Sequence, residues 1–339
     1  CNSRFLNLSM FVLKQNKNKE GFNKEVPFYQ IGAEQGFLPQ VVEILTGFAT
    51  PLPGDGTVPL DRVKGPFKDQ ALLMGPAERA DVIVDFSKFK PGTVIRMINT
   101  APDAPFGGFP DVPADPSTTG QVMQFVVGMP TGQPDPSTPV HNLVLNAEPT
   151  YNLATPAPNG IRDLSLNEGE SEHICVNIDP AGNITFVDTI PNPTPDIGAA
   201  CGALGAVPMA PKEALLGGVV PNPLVVGGIT GNPLTWSDNI TENPGVDTTE
   251  SWDIYNFTVD GHPIHLHLVR FQVEGRQPLD LVTNQPIGVM APAQAAEQGW
   301  KDTVIAYPGE VTRIRATFDK EGLYVWHCHI VEHEDNEMM

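Results

Sequence analysis

The sequence predicts an all-β protein built from β-sandwiches. Short apolar or alternating runs recur along the chain and are bounded by turns that contain Gly and Pro, which is the pattern of strands and hairpins. Proline and glycine number 35 and 32 of 339 residues. Together they stay below the roughly 25–30% that is typical of disordered chains. Helical periodicity is scarce, so we expect few helices.

Seven runs carry the strand prediction. They cover residues 80–86, 93–99, 122–127, 251–259, 263–273, 311–318 and 322–329. Two other stretches, 212–216 (KEALL) and 330–337 (IVEHEDNE), predict one or two helical turns each. Many short strands with frequent turns favour sandwiches over other β architectures.

Two stretches indicate how the chain is divided. Residues 129–139 are polar and Pro-rich and predict a linker between a domain at 1–128, without metal ligands, and a second domain at 140–339. Residues 190–245 are rich in Pro, Gly and Asn and predict a long loop insertion within the second domain.

The charge balance argues against a nucleic-acid partner. The chain has 20 basic and 40 acidic residues, which gives a net charge of −20. A nucleic-acid partner would require Lys and Arg to neutralise phosphates, so we expect none. No run of 18 apolar residues occurs, which predicts no membrane span.

Histidine is the informative residue type. The chain contains eight histidines, and six fall in two clusters that also contain a cysteine and a methionine: His262, His265 and His267, then His327, Cys328, His329, His333 and Met338. Side chains alternate between the two faces of a strand. His327 and His329 therefore share one face, while Cys328 points to the other. One strand then offers imidazoles to one metal centre and a thiolate to a second.

The ligand types favour copper. A thiolate with two imidazoles and a weak axial thioether describes a blue-copper site, and Cys328, His333, Met338 and His262 can supply this set. Zinc is the main alternative, but a structural zinc site is closed by four strong ligands, which a single cysteine among six histidines fits poorly. The isolated His141 and His173 are expected to be ordinary structural histidines.

The remaining cysteines leave alternatives open. Cys175 and Cys201 lie 26 residues apart and form either a disulfide, which would indicate an oxidising compartment, or two free thiols. The chain begins at Cys1 with neither Met nor a signal peptide, so we expect this N-terminus to be a cut.

Several segments of the sequence resemble a known protein family. The segments HPIHLHLVRF and YVWHCHIVEHEDNEMM resemble the two C-terminal copper motifs of multicopper oxidases, and the closest likeness is to bacterial laccases of the spore-coat type. The segments QIGAEQGFLP, GPAERADVIVDF and GWKDTVIAYPGEVTRIRATF support it. The resemblance implies the second and third of the family's three cupredoxin-like Greek-key sandwiches, with the first absent.

The resemblance also implies roles for the residues. Phenols or aromatic amines would lose single electrons to a type 1 copper, and a three-copper cluster would reduce dioxygen to water. The type 1 ligands would be His262, Cys328, His333 and Met338; His265 would bind the type 2 copper; His267, His327 and His329 would bind the type 3 pair. Glu334 would help to protonate reduced oxygen. Asp302 is either a hydrogen-bond partner of a ligand imidazole or an ordinary loop carboxylate.

The sequence departs from the family in one respect. The family has two further H-x-H pairs in its first domain, and none occurs here outside the clusters described. We therefore expect a complete type 1 site, half of the oxygen-reducing cluster and no dioxygen turnover without the missing domain. A manganese or cuprous oxidase of the same superfamily and a cupredoxin electron carrier remain as alternatives. Localisation is open, with an extracytoplasmic or spore-associated place favoured.

Overall fold

The fold is dominated by β-strands, as the sequence predicts. The computed structural model describes residues 4–16, 19–45, 68–69, 72–107, 112–145, 160–179, 183–190 and 196–339. Cys1 and residues 191–195 of the predicted loop lie outside this part. No helix among the described residues is long and apolar enough to cross a membrane.

The first nine strands form what we call the N-terminal sandwich. They are β1 (Leu6–Asn16), β2 (Lys19–Val26), β3 (Phe28–Ala33), β4 (Gly36–Ile44), β5 (Lys68–Asp69), β6 (Leu73–Met74), β7 (Asp81–Ile83), β8 (Val94–Asn99) and β9 (Gln121–Val126). One sheet has the order β2-β1-β8-β9 with β6 on β1, and the other has the order β5-β4-β3-β7. Apolar side chains from both sheets, such as Met10, Leu38 and Ile95, form one buried cluster.

The remaining elements form the C-terminal sandwich. They are β10 (Ile161–Gly169), β11 (Ile174–Ile178), β12 (Ile184–Thr189), α1 (Ile197–Ala203), β13 (Val207–Pro208), β14 (Glu213–Pro221), β15 (Ile229–Pro233), β16 (Thr248–Asn256), β17 (His262–Leu266), β18 (Phe271–Pro278), β19 (Ala291–Pro292), β20 (Thr303–Ala306), β21 (Glu310–Phe318), β22 (Trp326–Cys328) and α2 (Val331–Glu334).

Two sheets of this sandwich enclose the larger core. A seven-stranded sheet has the order β15-β14-β10-β16-β21-β18-β19, and a three-stranded sheet has the order β20-β17-β22. Leu166, Ile254 and Ile314 of the large sheet share a buried cluster with Ile264 and Cys328 of the small one. The apolar faces of the two sheets therefore pack against each other, which fixes the positions of β17 and β22.

A third sheet, β12-β11-β13, is separate and small. A disulfide joins Cys175 of β11 to Cys201 of α1, so the pairing that the sequence left open is present. Both cysteines are fully buried beside Ile197 and Ala206. The cross-link ties the short helix to this sheet, which has little apolar core of its own.

Two expectations for the stretch 190–245 are wrong. The stretch is not one long loop insertion, because it contains α1, β14 and β15. The predicted helical turn at 212–216 is absent, since its residues 213–216 belong to strand β14 of the seven-stranded sheet. Ala214 and Leu216 are buried in the main core, so burial between two strands outweighs local helix propensity.

The predicted linker at 129–139 is exposed and carries neither helix nor strand. The domain bounds themselves stay a prediction.

The run 263–273 was expected to be one strand and is two. Strand β17 ends at Leu266 and β18 starts at Phe271, and the two strands lie in different sheets. Leu268 has a φ of 70°, a left-handed conformation that breaks extended structure. This turn leads the chain out of the three-stranded sheet directly after His267.

The two sandwiches meet in a buried interface. Phe5 and Phe106 of the N-terminal sandwich are stacked on each other and belong to the core of the C-terminal one. Gly75 lies against Pro263 of β17, where a Cβ atom would approach the proline Cβ to 2.9 Å. Lys301 Nζ lies 2.7 Å from Glu34 Oε1 and 3.2 Å from a Glu78 oxygen. Because these charges are buried, each depends on its partners in the other sandwich.

The Glu34 carboxyl predicts a pH dependence of stability. Burial raises the pKa of Glu34 to about 7, with Lys301 opposing the rise, from a value of 4.5 in the unfolded chain. Between these values the unfolded chain has released a proton that the native protein still holds, so the free energy of unfolding falls as pH rises. Relative to Glu34→Gln, we expect the native protein to lose roughly 1–3 kcal/mol between pH 4.5 and 8.

Chemical denaturation of both proteins across this pH range measures the difference. Glu172→Gln, which alters an exposed carboxylate, is the matched control and should follow the native curve. Parallel curves for the native protein and Glu34→Gln would show that Glu34 ionises normally.

Candidate metal centre

A cysteine and two histidines converge inside the C-terminal sandwich. Cys328 Sγ lies 3.6 Å from His262 Nδ1 and 3.9 Å from His333 Nδ1, and the two nitrogens are 3.0 Å apart. β17 contributes His262, β22 contributes Cys328, and helix α2 contributes His333. The three donor atoms come from three elements and aim at one point, so they can hold one metal ion.

Met338 is held beside Cys328 and His333 by backbone hydrogen bonds. Its backbone N–H donates to His333 O and its carbonyl accepts from the Cys328 N–H, both at 2.9 Å. The side chain is fully buried in the main core. The backbone hydrogen bonds therefore hold the segment after α2 against β22, as an axial thioether at this site requires.

The proton on His262 can be assigned from its neighbours. His262 Nε2 lies 2.7 Å from Thr258 Oγ1. That hydroxyl also contacts the Asn256 side-chain oxygen and the Asp260 carbonyl, which can only accept. The hydroxyl proton goes to one of them, so Thr258 accepts from His262 Nε2–H. This leaves the lone pair of Nδ1 directed at Cys328 and His333.

The donors are neutral without a metal. Burial lowers the pKa of His262 to about 4, with Asp260 opposing and His333 adding to the shift. Burial also lowers the pKa of His333 and raises the pKa of the Cys328 thiol well above its usual value. Neutral imidazoles are ready to bind a metal, whereas the thiolate forms only when a bound cation stabilises it.

Four further histidines converge on the opposite side of the same strands. Ring centroids lie 5.0 Å apart for His265 and His267, 5.2 Å for His267 and His327, and 5.3 Å for His327 and His329. His265 pairs with His327 across the two strands. The ligand nitrogens of His265, His267 and His327 lie within 4.8 Å of one another, which makes a second candidate metal site.

Two of these rings have an assigned orientation. His265 Nδ1 lies 2.8 Å from the Asp302 carbonyl oxygen, and His327 Nδ1 lies 3.0 Å from the Cys328 carbonyl oxygen. A carbonyl can only accept, so both Nδ1 atoms carry protons and both Nε2 atoms keep a lone pair that can bind a metal. Without metal, the lone pair of His327 Nε2 faces His267 Nε2 at 3.1 Å. Burial, followed by the neighbouring imidazoles, lowers the pKa of His267. Burial likewise dominates the lowered pKa of His327.

The geometry joins the two sites through one strand. Cys328 lies on the core side of β22 with His262, while His327 and His329 face the other histidines. Three consecutive residues thus face two separate clusters, as strand alternation predicts. The ring of His329 lies beside those of His265 and His327, but its nitrogens do not belong to the group of three that could hold one ion. The sulfur site, with two imidazoles and a nearby methionine, fits copper better than zinc.

The other candidate residues have clear positions. Asp302 contacts His265: its carbonyl oxygen accepts from His265 Nδ1–H at 2.8 Å, and its carboxylate Oδ1 lies 3.6 Å from the same nitrogen. Glu334 is half-buried in α2, and its role stays a prediction. His141 lies edge-on to Tyr29, and His173 Nδ1 lies 3.1 Å from the Ile190 carbonyl oxygen, which suits structural roles.

Sequence reasoning missed several residues around the sulfur site. Thr258 and Asp260 bind the far side of His262, and Glu168 Oε1 lies 3.9 Å from His262 Nε2. Burial raises the pKa of Glu168 to about 8, and the nearby Asp260 adds to the rise. Thr258 and Asp260 are close enough to the histidine motif to be considered from sequence. Glu168 comes from β10, and only the fold brings it near.

Comparisons with known proteins place similar sequences in one family. Residues 212–339 match the family model of the multicopper oxidases. A laccase of Bacillus subtilis is 31% identical over 92% of this chain and 45% of its own length. A laccase of Bacillus stratosphericus is 50% identical over 31% of this chain and 22% of its own length.

A solved structure shares the fold. A multicopper oxidase from Campylobacter jejuni, described as a metallo-oxidase, superposes with a TM-score of 0.54 at 16% identity over 99% of this chain and 50% of its own. The architecture is thus the cupredoxin type of multicopper oxidases. The chain spans about half the length of the curated laccase of Bacillus subtilis that it matches.

The sulfur site predicts a spectroscopic signature. Titration of the chain with Cu²⁺ should produce an intense visible absorption band from the thiolate–copper bond, and Cys328→Ser should remove it because no sulfur anion remains. Cys1→Ser changes the other cysteine outside the disulfide and should keep the band. An unchanged band in Cys328→Ser would refute the assignment of Cys328 as a ligand.

Proposed function

Because this chain belongs to the multicopper oxidase family, we propose that it carries copper ligands of a laccase-like enzyme. That enzyme would couple one-electron oxidation of phenols or aromatic amines to the reduction of dioxygen to water. The observation that carries the proposal is the placement of Cys328 in one donor cluster and of its neighbours His327 and His329 in another. An electron carrier with one copper has no use for the second cluster.

The proposed ligands follow from the two clusters. The type 1 ligands are His262, Cys328, His333 and Met338; the type 2 ligand is His265; the type 3 ligands are His267, His327 and His329. Bound copper supplies one-electron redox chemistry, which the side chains at this site do not offer. The protein supplies the ligand set, its orientation and the exclusion of water.

One side of the proposed type 1 site is buried, and the other side is partly exposed to solvent. His262, Cys328 and Met338 are fully buried, whereas His333 is only half-buried on α2. An electron donor can therefore approach the site most closely at the His333 ring. We propose that the phenol or amine docks against this edge. From there, the backbone between Cys328 and its flanking histidines gives a short covalent path to the second cluster.

The second cluster is partly exposed to solvent. His267 is exposed, and His265 and His329 are half-buried. The sequence contains two H-x-H pairs, at 265–267 and 327–329, while the family uses four. We propose that the other two pairs come from a further cupredoxin-like domain that covers this face. The four rings described here would then form half of the oxygen-reducing site.

Oxygen uptake tests the proposed function. The purified chain, loaded with Cu²⁺ and given a phenol, should lose its visible band because the type 1 site accepts an electron. It should consume no dioxygen, since half of the cluster ligands are absent. Cys328→Ser is the control: it should have no visible band for the phenol to bleach. Sustained oxygen consumption by this chain alone would contradict the half-cluster, and a band that phenol does not bleach would contradict electron acceptance.

Glu334 is proposed as a proton donor to reduced oxygen. It directly follows the type 1 ligand His333, and α2 holds it half-buried near β22. In a protein that also contains the missing domain, Glu334→Gln should slow oxygen reduction while the visible band stays unchanged. The exposed neighbour Asp335 gives the matched control, Asp335→Asn. Equal rates for the native protein and Glu334→Gln would remove Glu334 from the reaction.

A further inference from the structure

Lys301 and Asp302, the two residues just before β20, both bind residues of the N-terminal sandwich. Lys301 pairs with Glu34 and Glu78 of the N-terminal sandwich. Asp302 accepts two hydrogen bonds from Arg79, at 2.8 and 2.7 Å, and one from the Gln35 amide at 2.5 Å. We call these six residues the interdomain clamp: Glu34, Gln35, Glu78, Arg79, Lys301 and Asp302.

In the clamp, two pairs of adjacent residues of the N-terminal sandwich bind the adjacent residues Lys301 and Asp302. Glu34 and Gln35 occupy the turn between β3 and β4, and Glu78 and Arg79 lie just before β7. In each pair the first residue binds Lys301 and the second binds Asp302. A shift of one residue would set carboxylates against Asp302, so this arrangement specifies one register between the sandwiches.

Four of the six clamp side chains are buried, and Arg79 reaches Asp302 from a half-exposed position. The side chains of Glu34, Glu78, Lys301 and Asp302 are between 0 and 8% exposed. The Asp302 carboxylate accepts hydrogen bonds from Arg79, from Gln35 and from the Thr303 hydroxyl. Breaking one partner would leave a buried charge uncompensated, which resists movement of Asp302.

The clamp ends on a candidate copper ligand. The carbonyl of Asp302 accepts from His265 Nδ1–H at 2.8 Å and from the Leu266 N–H at 3.1 Å. The Thr303 hydroxyl donates to Asp302 Oδ1 and itself lies 3.1 Å from His265 Nδ1. Both main-chain and side-chain oxygens of Asp302 therefore surround one edge of the His265 ring.

We propose that the N-terminal sandwich, which contributes no copper ligand, positions the His265 imidazole through the clamp and holds it in the tautomer with Nε2 free for metal. Arg79 and Gln35 are the positioning residues, and they act through Asp302. This inference rests on the proposed function for the role of His265 as a ligand. The orientation itself is a property of the metal-free protein.

His327 provides an internal comparison. Its Nδ1–H donates to the Cys328 carbonyl of its own strand, so its tautomer is set within the C-terminal sandwich. Loss of the clamp should therefore affect His265 and spare His327. General loosening of the fold should affect both rings.

The test reads the tautomers directly. Metal-free chain labelled with ¹⁵N-histidine gives long-range ¹H–¹⁵N spectra in which protonated and unprotonated ring nitrogens differ, and His265→Gln assigns the His265 signals. At a fixed pH above the histidine range, the native protein should show His265 in one tautomer, protonated at Nδ1. Arg79→Met should convert it into a mixture of tautomers, with His327 unchanged.

Further variants separate the effect of the hydrogen bonds to Asp302 from the effect of the Arg79 charge. Gln35→Leu removes one hydrogen bond to Asp302 and no charge, so it should fold and give a smaller change in the same direction. Arg79→Lys restores the charge but not the two-pronged contact, and it should recover only part of the native tautomer. Arg96→Met, at an exposed hydrogen bond of β8, is the matched control and should match the native spectrum.

Two outcomes overturn the proposal. His265 could keep its native tautomer in both Arg79→Met and Gln35→Leu, which would show that the strand alone fixes the ring. Alternatively, His265 and His327 could change together, which would show general loosening. Since no metal and no turnover enter the measurement, these results are independent of whether the proposed oxidase activity is correct.

Discussion

The candidate site depends on the alternation of side chains along β22. Cys328 must face the core because its sulfur lies near His262 and His333, and this orientation directs His327 and His329 to the opposite side. The neighbouring strand repeats the arrangement: β17 places His262 on the sulfur side and His265 on the histidine side. Pairing of these two strands in one register therefore builds two donor clusters, and a slip of one residue would destroy both.

The surroundings of the rings prepare them for metal. Burial keeps His262 and His333 neutral, and each ring with an assigned proton directs its other nitrogen toward a cluster. The partners of these protons come from several parts of the fold: a loop threonine for His262, the same strand for His327, and the residue before β20 for His265. Ligand orientation is thus distributed over the whole structure, and the interdomain clamp extends it to the N-terminal sandwich.

The sequence predicted the parts of the site that depend on local geometry. The two histidine clusters, the opposite orientation of Cys328 and the short helix with His333 follow from spacing and strand alternation. The sequence could not predict β14, because KEALL has a helical preference that burial between β10 and β15 overrides. Nor could it predict Glu168 beside His262 or Arg79 on Asp302, since these contacts join residues far apart in the chain. The six clamp residues lie in the segments QIGAEQGFLP, GPAERADVIVDF and GWKDTVIAYPGEVTRIRATF, whose likeness to the family does not by itself reveal that they contact one another.

The central claim is that one strand joins two metal centres. Anomalous diffraction at the copper absorption edge, from crystals of the copper-loaded chain, tests it most directly. The account predicts separate peaks on the two sides of β22, one beside Cys328 and the other among His265, His267 and His327. A single peak that Cys328 shares with His327 or His329, or copper bound only at the surface, would contradict it.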